Sequence, residues 1–314
     1  NQYLAKQRGK VSGQLFGFQR LVYAAFAARD DITPEPPPDR FLVHDRNVNG
    51  PRGRKGAFSW AGTTAPYRDT FAGCMFSEPD DDRAYAMHYA GPQVLFTERN
   101  DTNPHRNGVG LAMSPENYDR DVIVRDDCGV LAARYDLYQY QQWLENPGES
   151  DWIAGQLWYF DHRRLVGLLT LEAKTETPAR AVDLSARFAH YGEGNDNTET
   201  ELRQTADNAY VSGPLRLRVI DHNLSDSVIE NTWVCTYTAG EPGKGVFART
   251  DSENGYFREG DRFYLLLEVR PENSDPAEIC LAGDQRTGFH IKGTPHDVAL
   301  SITGTGESFH CDLT

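Results

Sequence analysis

No catalytic signature is present among the 314 residues. The sequence has no GxSxG nucleophile elbow, no HExxH, no P-loop and no GxGxxG after a strand. It has no run near the ~20 apolar residues that span a bilayer. Positive charge is scarce: 32 Lys and Arg stand against 46 Asp and Glu, a net charge of −14. That balance disfavours nucleic acid and anionic lipid as partners. It leaves room for an anionic polysaccharide held by a local basic patch. Cysteine is sparse, and Cys74, Cys128, Cys235, Cys280 and Cys311 form no CxxC or zinc-type spacing. They read as buried strand residues, with one or two disulfides in an exported protein as the other reading. No fixed-period repeat and no βαβ alternation is visible, which disfavours propellers and Rossmann-type folds.

What is present is mostly strand. One helical stretch comes first: Leu15, Phe16, Phe18, Leu21, Val22, Ala25 and Phe26 make an apolar stripe at helical spacing, so residues 1–30 are expected to be an N-terminal helix. Pro34, Pro36, Pro37 and Pro38 then stiffen a linker, and 45–56 (DRNVNGPRGRKG) reads as a Gly/Asn/basic loop. Residues 31–56 are thus taken as linker and loop, and 57–314 as a large β unit. Strands are expected at 57–61, 70–76, 83–89, 92–97, 121–126, 130–143, 152–161, 164–173, 179–190, 209–221, 228–238, 262–270, 286–291, 297–303 and 307–312. Turn signals such as Ala90-Gly91-Pro92, Asn146-Pro147-Gly148 and Asn254-Gly255 punctuate them. The fold class is all-β: a large antiparallel β-sandwich, or two packed sandwich units, preceded by one helix. Leu165 to Leu171 is apolar on both faces and is expected to be a central, doubly covered strand. In 130–143, Arg134, Asp136, Tyr138, Tyr140 and Gln142 share one face, and Tyr135, Leu137, Gln139, Gln141 and Trp143 the other. Such a surface of rings and amides suits a sugar chain or a second sheet.

Several segments carry candidate chemistry beside an ordinary structural reading. Strand 83–89 places Tyr85, Met87 and Tyr89 on one face and His88 on the other, where an imidazole has a pKa suited to proton transfer. Loop 97–108 gathers Arg99, His105 and Arg106; its Asp101, Asn103 and Asn107 faintly resemble a calcium loop but lack the closing Glu. No cofactor is expected, and a structural divalent cation is left open. Asp161-His162-Arg163-Arg164 and Arg52-Gly53-Arg54-Lys55 are two small cationic patches suited to carboxylate or sulfate, or else solvated turns. Leu215 to His222 alternates, with Arg216, Arg218 and His222 on one face: the outer side of a half-buried strand, or a groove for an acidic chain.

The order of helix Gly13–Ala28, linker Pro34–Pro38 and strands from Ala57-Phe58-Ser59-Trp60 through Leu165–Leu171 to Phe263–Val269 resembles the C-terminal β-sandwich portion of (α/α)-toroid polysaccharide lyases, heparinase II/III-like or alginate-lyase-like. The resemblance is architectural. It implies a missing α-helical toroid, or a partner chain, that supplies Tyr and Asn or His side chains to the cleft. It also implies β-elimination on a uronate-containing polysaccharide. Arginines would neutralise the uronate carboxylate, while a Tyr or His takes the C5 proton and protonates the leaving oxygen. The candidate catalytic residues are His88, Tyr89 and His105. The candidate substrate-binding residues are Arg99, Arg106, Arg134, Tyr138, Tyr140, Trp158 and Arg163. The alternative is a noncatalytic module that binds glycan or protein through an exposed aromatic platform, with Tyr138, Tyr140 and Trp158 as its members; the plainest outcome is an aromatic inner face that is only core. The expected location is secreted or periplasmic.

Overall fold

The structure, a computed structural model, describes residues 38–46, 49–64, 71–78, 83–95, 112–139, 148–192, 197–206, 208–232, 243–283, 287–292, 298–304, 308 and 310–313. The expected helix 1–30 lies outside them. In chain order the strands are β1 Arg40–Asp45, β2 Gly50–Lys55, β3 Phe58–Thr63, β4 Phe71–Phe76, β5 Ala84–Leu95, β6 Ala112–Val124, β7 Cys128–Gln139, β8 Gly148–Asp161, β9 Leu165–Ala173, β10 Thr177–Pro178, β11 Ala181–Tyr191 and β12 Asn197–Thr198. They continue as β13 Arg203–Ala206, β14 Ala209–Ser212, β15 Leu215–His222, β16 Asp226–Thr232, β17 Gly243–Asp251, β18 Tyr256–Phe257, β19 Arg262–Pro271, β20 Glu278–Ala282, β21 Gly288–Lys292, β22 Val298–Thr303 and β23 His310–Leu313.

Three sheets are stacked. The front sheet runs β1-β2-β3-β4-β5-β11-β17-β16, with β12 beside β11. The middle sheet runs β13-β14-β15-β19-β9-β8-β7-β6, the back sheet β20-β21-β22-β23, and β10 pairs with β18. Every pairing among the described strands is antiparallel. The larger core joins Phe58, Trp60, Met87, Val182 and Phe188 of the front sheet to Leu131, Trp158, Leu169 and Leu267 of the middle one. A second core joins Val130, Leu157, Val166 and Leu266 of the middle sheet to Phe289, Ile291 and Leu300 of the back one. The middle sheet is therefore shared by two apolar layers, instead of two complete sandwiches lying side by side. Strand β9 sits between β19 and β8 and sends Leu165, Leu169 and Leu171 into one core and Val166 and Leu168 into the other. That is why it is apolar on both faces, as its sequence indicated.

Three expectations change. Residues 45–56 are mainly strand, not loop: β1 and β2 form a hairpin on the edge of the front sheet. The glycines there serve close approach. A Cβ on Gly50 would lie 1.9 Å from the Gly62 carbonyl oxygen, and one on Gly53 would lie 2.2 Å from the Trp60 ring. Second, Ala90-Gly91-Pro92 is not a turn; β5 runs straight through it, pairing Gly91 with Ser185 and Pro92 with Leu184. Strand β4 accompanies β5 only at Tyr85 to Met87, so at Pro92 the other flank of β5 has no described strand to receive an N–H. Third, 209–221 breaks into β14 and β15 at Gly213, whose φ of 56° lies in the left-handed region.

Candidate functional site

The predicted catalytic strand is β5 of the front sheet. Its pairing with β11 slips at one point: Met87 stands across from Phe188, and Tyr89 across from Arg187. His88 is therefore the extra residue of a β-bulge, and the period-two alternation expected through 85–89 does not hold there. Bulges of this kind re-aim side chains and recur beside active sites. The bulge sets Tyr89 at the register position opposite a cation.

That cation belongs to a polar ladder on the front sheet. Phe188 and Ala186 point into the core, so Asp183, Ser185 and Arg187 lie on the other face of β11. Arg187 donates to Gln93 Oε1 at 2.9 Å and lies 5.7 Å from the centroid of the Phe247 ring. Next to it, Arg249 makes a two-pronged pair with the fully buried Asp183 (2.7 and 3.0 Å) and a second pair with Glu230 at 2.9 Å. These hydrogen bonds to Asp183 and Glu230 outweigh burial and push the Arg249 pKa up, so it is a fixed charge. Sequence reading missed Arg187, Asp183 and Arg249. Asp183, Ser185 and Arg187 at every second position of the otherwise apolar β11 are the signal for the first two.

Arg134 lies elsewhere. It is on β7 of the middle sheet, between Asp119 and Gly155, and opens on a groove of about 470 Å³ beside β22. Ile153, Leu168 and Ile302 supply the apolar wall, and Thr170 and Thr303 supply hydroxyls. A Cβ on Gly155 would fall 2.4 Å from Thr170 Oγ1, so this glycine keeps the floor open. Arg262, also lining the groove, is paired with Glu172 at 2.5 Å. Among the described lining residues Arg134 is the cation without an ion pair, a charge that suits one carboxylate.

Trp158 is a correction. It is fully buried between the front and middle sheets, with its Nε1–H donating to Gln156 Oε1 at 2.9 Å, while Gln156 Nε2 donates to Tyr135 OH at 2.8 Å. Its ring fills the space above Gly167, where a Cβ would be 2.3 Å away. It is core and offers no face to a sugar. Tyr135 and Leu137 likewise fill the larger core. Tyr138 occupies a β7 position paired with Glu149 of β8 and Ala112 of β6. Arg99, His105, Arg106 and Tyr140 lie outside the described residues. Arg163 is exposed on the β8–β9 turn, whereas Arg164 is buried against Glu268 at 2.9 Å. Arg218 pairs with Glu268 and Arg216 with Glu272, so both arginines of the β15 face are held in intramolecular ion pairs.

One histidine–serine contact is present among the described residues. His190 Nε2 lies 2.9 Å from Ser212 Oγ, and the Tyr85 ring stands edge-on 4.8 Å away. Both His190 and Ser212 are buried, so the pair is closed to a substrate and is structural. The thiols are inert too: burial lifts the pKa of Cys74 and Cys311 to about 12 and, with help from Asp127, that of Cys128 to about 11. All three are free, as is the exposed Cys280; Cys235 lies outside the described residues.

No protein-family model matches the chain, and no curated protein matches it by sequence. By structure it is similar to a heparinase III gene product, with a TM-score of 0.48 and 7% sequence identity. The match covers 96% of this chain and 47% of that one, so the chain spans about half the length of that protein.

Proposed function

We propose that the chain is the β-sandwich part of a carbohydrate-active protein that cleaves a uronate-containing polysaccharide by β-elimination. The observation that carries this reading is the β5 bulge, which sets Tyr89 at the position opposite Arg187. β-Elimination needs a base beside the sugar C5 and a cation near the uronate carboxylate. Arg187 stabilises the negative charge that develops as the C5 proton leaves. Tyr89 or His88 accepts that proton, the C4–O bond breaks, the leaving oxygen is protonated, and a C4=C5 double bond conjugated with the carboxylate remains. The rest of the cleft is supplied by a helical domain or partner chain.

The test is ultraviolet absorbance with a panel of uronate polysaccharides, because only elimination creates the conjugated double bond. Absorbance should rise with one polymer and fall by about 100-fold or more in rate for Tyr89→Phe or Arg187→Ala, the usual size of a lost acid–base or charge-stabilising group. Flat traces from the assembled protein with every uronate polymer would sink the reading. A second reading, glycan binding without turnover, is favoured by the Arg134 groove, whose described lining has no Tyr or His. It expects retardation in a polysaccharide gel, lost in Arg134→Ala, with no absorbance change.

A further inference from the structure

The two cationic patches seen in the sequence meet in space. The β2–β3 turn and the β8–β9 turn close around a pocket of about 450 Å³ at one end of the sandwich, lined by Lys55, His162 and Arg163 with Phe58 and Phe76 behind them. Arg40 joins from β1, where it stands directly across from Lys55. Like charges opposite one another on neighbouring strands repel. In a chain of net charge −14, acids to pair with them are plentiful. Yet among the described residues Lys55 and Arg163 make no ion pair, and Arg40 spends its Nε–H on His162 Nε2 at 3.0 Å. With Nε2 accepting, the other imidazole nitrogen carries the proton, and that buried Nδ1 has no partner. Burial and then the Arg40 and Lys55 charges hold the His162 pKa below its ordinary value. Asp275 is the one acid among the described lining residues.

The turn itself is built to present these groups. Asp161 Oδ1 accepts the backbone N–H of Arg163 and of Arg164 at 2.6 and 2.9 Å, fixing the hairpin, and Arg164 turns inward to Glu268. His162 and Arg163 are left facing Lys55 across the pocket.

We propose that this pocket is an oxyanion-binding site that takes a sulfate or carboxylate group. Lys55, Arg163 and Arg40 supply the charge, and the His162 ring, held by Arg40, forms part of the wall. The site uses none of His88, Tyr89 and Arg187, which carry the elimination, and stands independently of that reading.

The test is a titration of the whole protein, labelled with ¹⁵N at histidine, with inorganic sulfate and separately with a sulfated disaccharide. Saturable binding should move the His162 ring resonances. It should weaken at least about tenfold, the equivalent of one modest charge-assisted contact, in Lys55→Ala/Arg163→Ala, and vanish in Arg163→Glu. These positions are exposed, so the fold is retained. Tighter binding of the disaccharide than of sulfate identifies a glycan-borne group, and equal binding a free anion. No saturable shift with either probe, or identical binding in the variants, overturns the proposal. Arg187→Ala should leave sulfate binding untouched, which separates failure here from failure of the elimination chemistry.

Discussion

His190 shows how a residue that looks catalytic is assigned by its surroundings. Its ring contacts a serine hydroxyl at 2.9 Å, yet both groups are buried, and burial lowers the imidazole pKa from the ordinary 6.5. Between that lowered value and 6.5 the unfolded chain binds the proton and the folded one does not. Stability therefore rises with pH across this window and is lost as pH falls below about 6.5. The urea midpoint should drop between pH 7.5 and 5.5, and His190→Gln should flatten that drop. An unchanged pH slope in the variant would remove His190 from the account. The same scale shows what sequence can and cannot reveal. Tyr135 and Trp158 were visible as aromatic strand residues, but which face of β7 and β8 meets the other sheet depends on sheet pairing, which no local pattern encodes. Trp158, expected on an exposed platform, is instead core.

At the scale of elements, the apolar strand β9 and the hairpin around Asp161-His162-Arg163-Arg164 were legible because their information is local. The buried charge network that the hairpin feeds was not, since its members come from four separate segments. Glu268 on β19 is fully buried, 2.9 Å from Arg164 and from Arg218, with Arg270 at 3.9 Å and the Ala277 N–H at 3.3 Å. One carboxylate thus balances cations from the start of β9, from β15 and from β19 itself, and ties the approach to β20 onto the middle sheet. Removing that charge leaves the buried Arg164 without its partner and beside two further cations, Arg218 and Arg270. Glu268→Gln should cost about 3–5 kcal/mol in chemical denaturation. A loss under ~1 kcal/mol would show that water screens the site more fully than its burial implies. The β5 bulge was likewise beyond reach. A bulge is a slip between two strands, and the alternation of Tyr85, Met87 and Tyr89 gives no hint of it.

At the scale of the molecule, an all-β antiparallel sandwich was readable from many short alternating runs and turn residues, while the three-layer stack was not. Two layers and three layers place the same demand on most strands. Only the central middle-sheet strands, such as β9 with apolar residues on both faces, distinguish them. Sharing that sheet has a thermodynamic consequence. Leu169 fills the front core and Leu168 the back core from adjacent positions on β9, so loosening one layer strains the other. The chain's five tryptophans include Trp60, Trp152 and Trp158, all in the front core, and Trp143 and Trp233, outside the described residues. Phe289, fully buried, fills the back core. Phe289→Ala removes a large side chain from that back layer and should cost about 3–5 kcal/mol. If the layers unfold as one cooperative unit, this back-core change will lower the midpoint seen by tryptophan fluorescence as much as the midpoint seen by far-ultraviolet circular dichroism, although those front-core fluorophores report from the other layer. If the back sheet instead opens alone, circular dichroism will show an earlier step and the fluorescence midpoint will stay where it was. Then the middle sheet would be a boundary between two folding units.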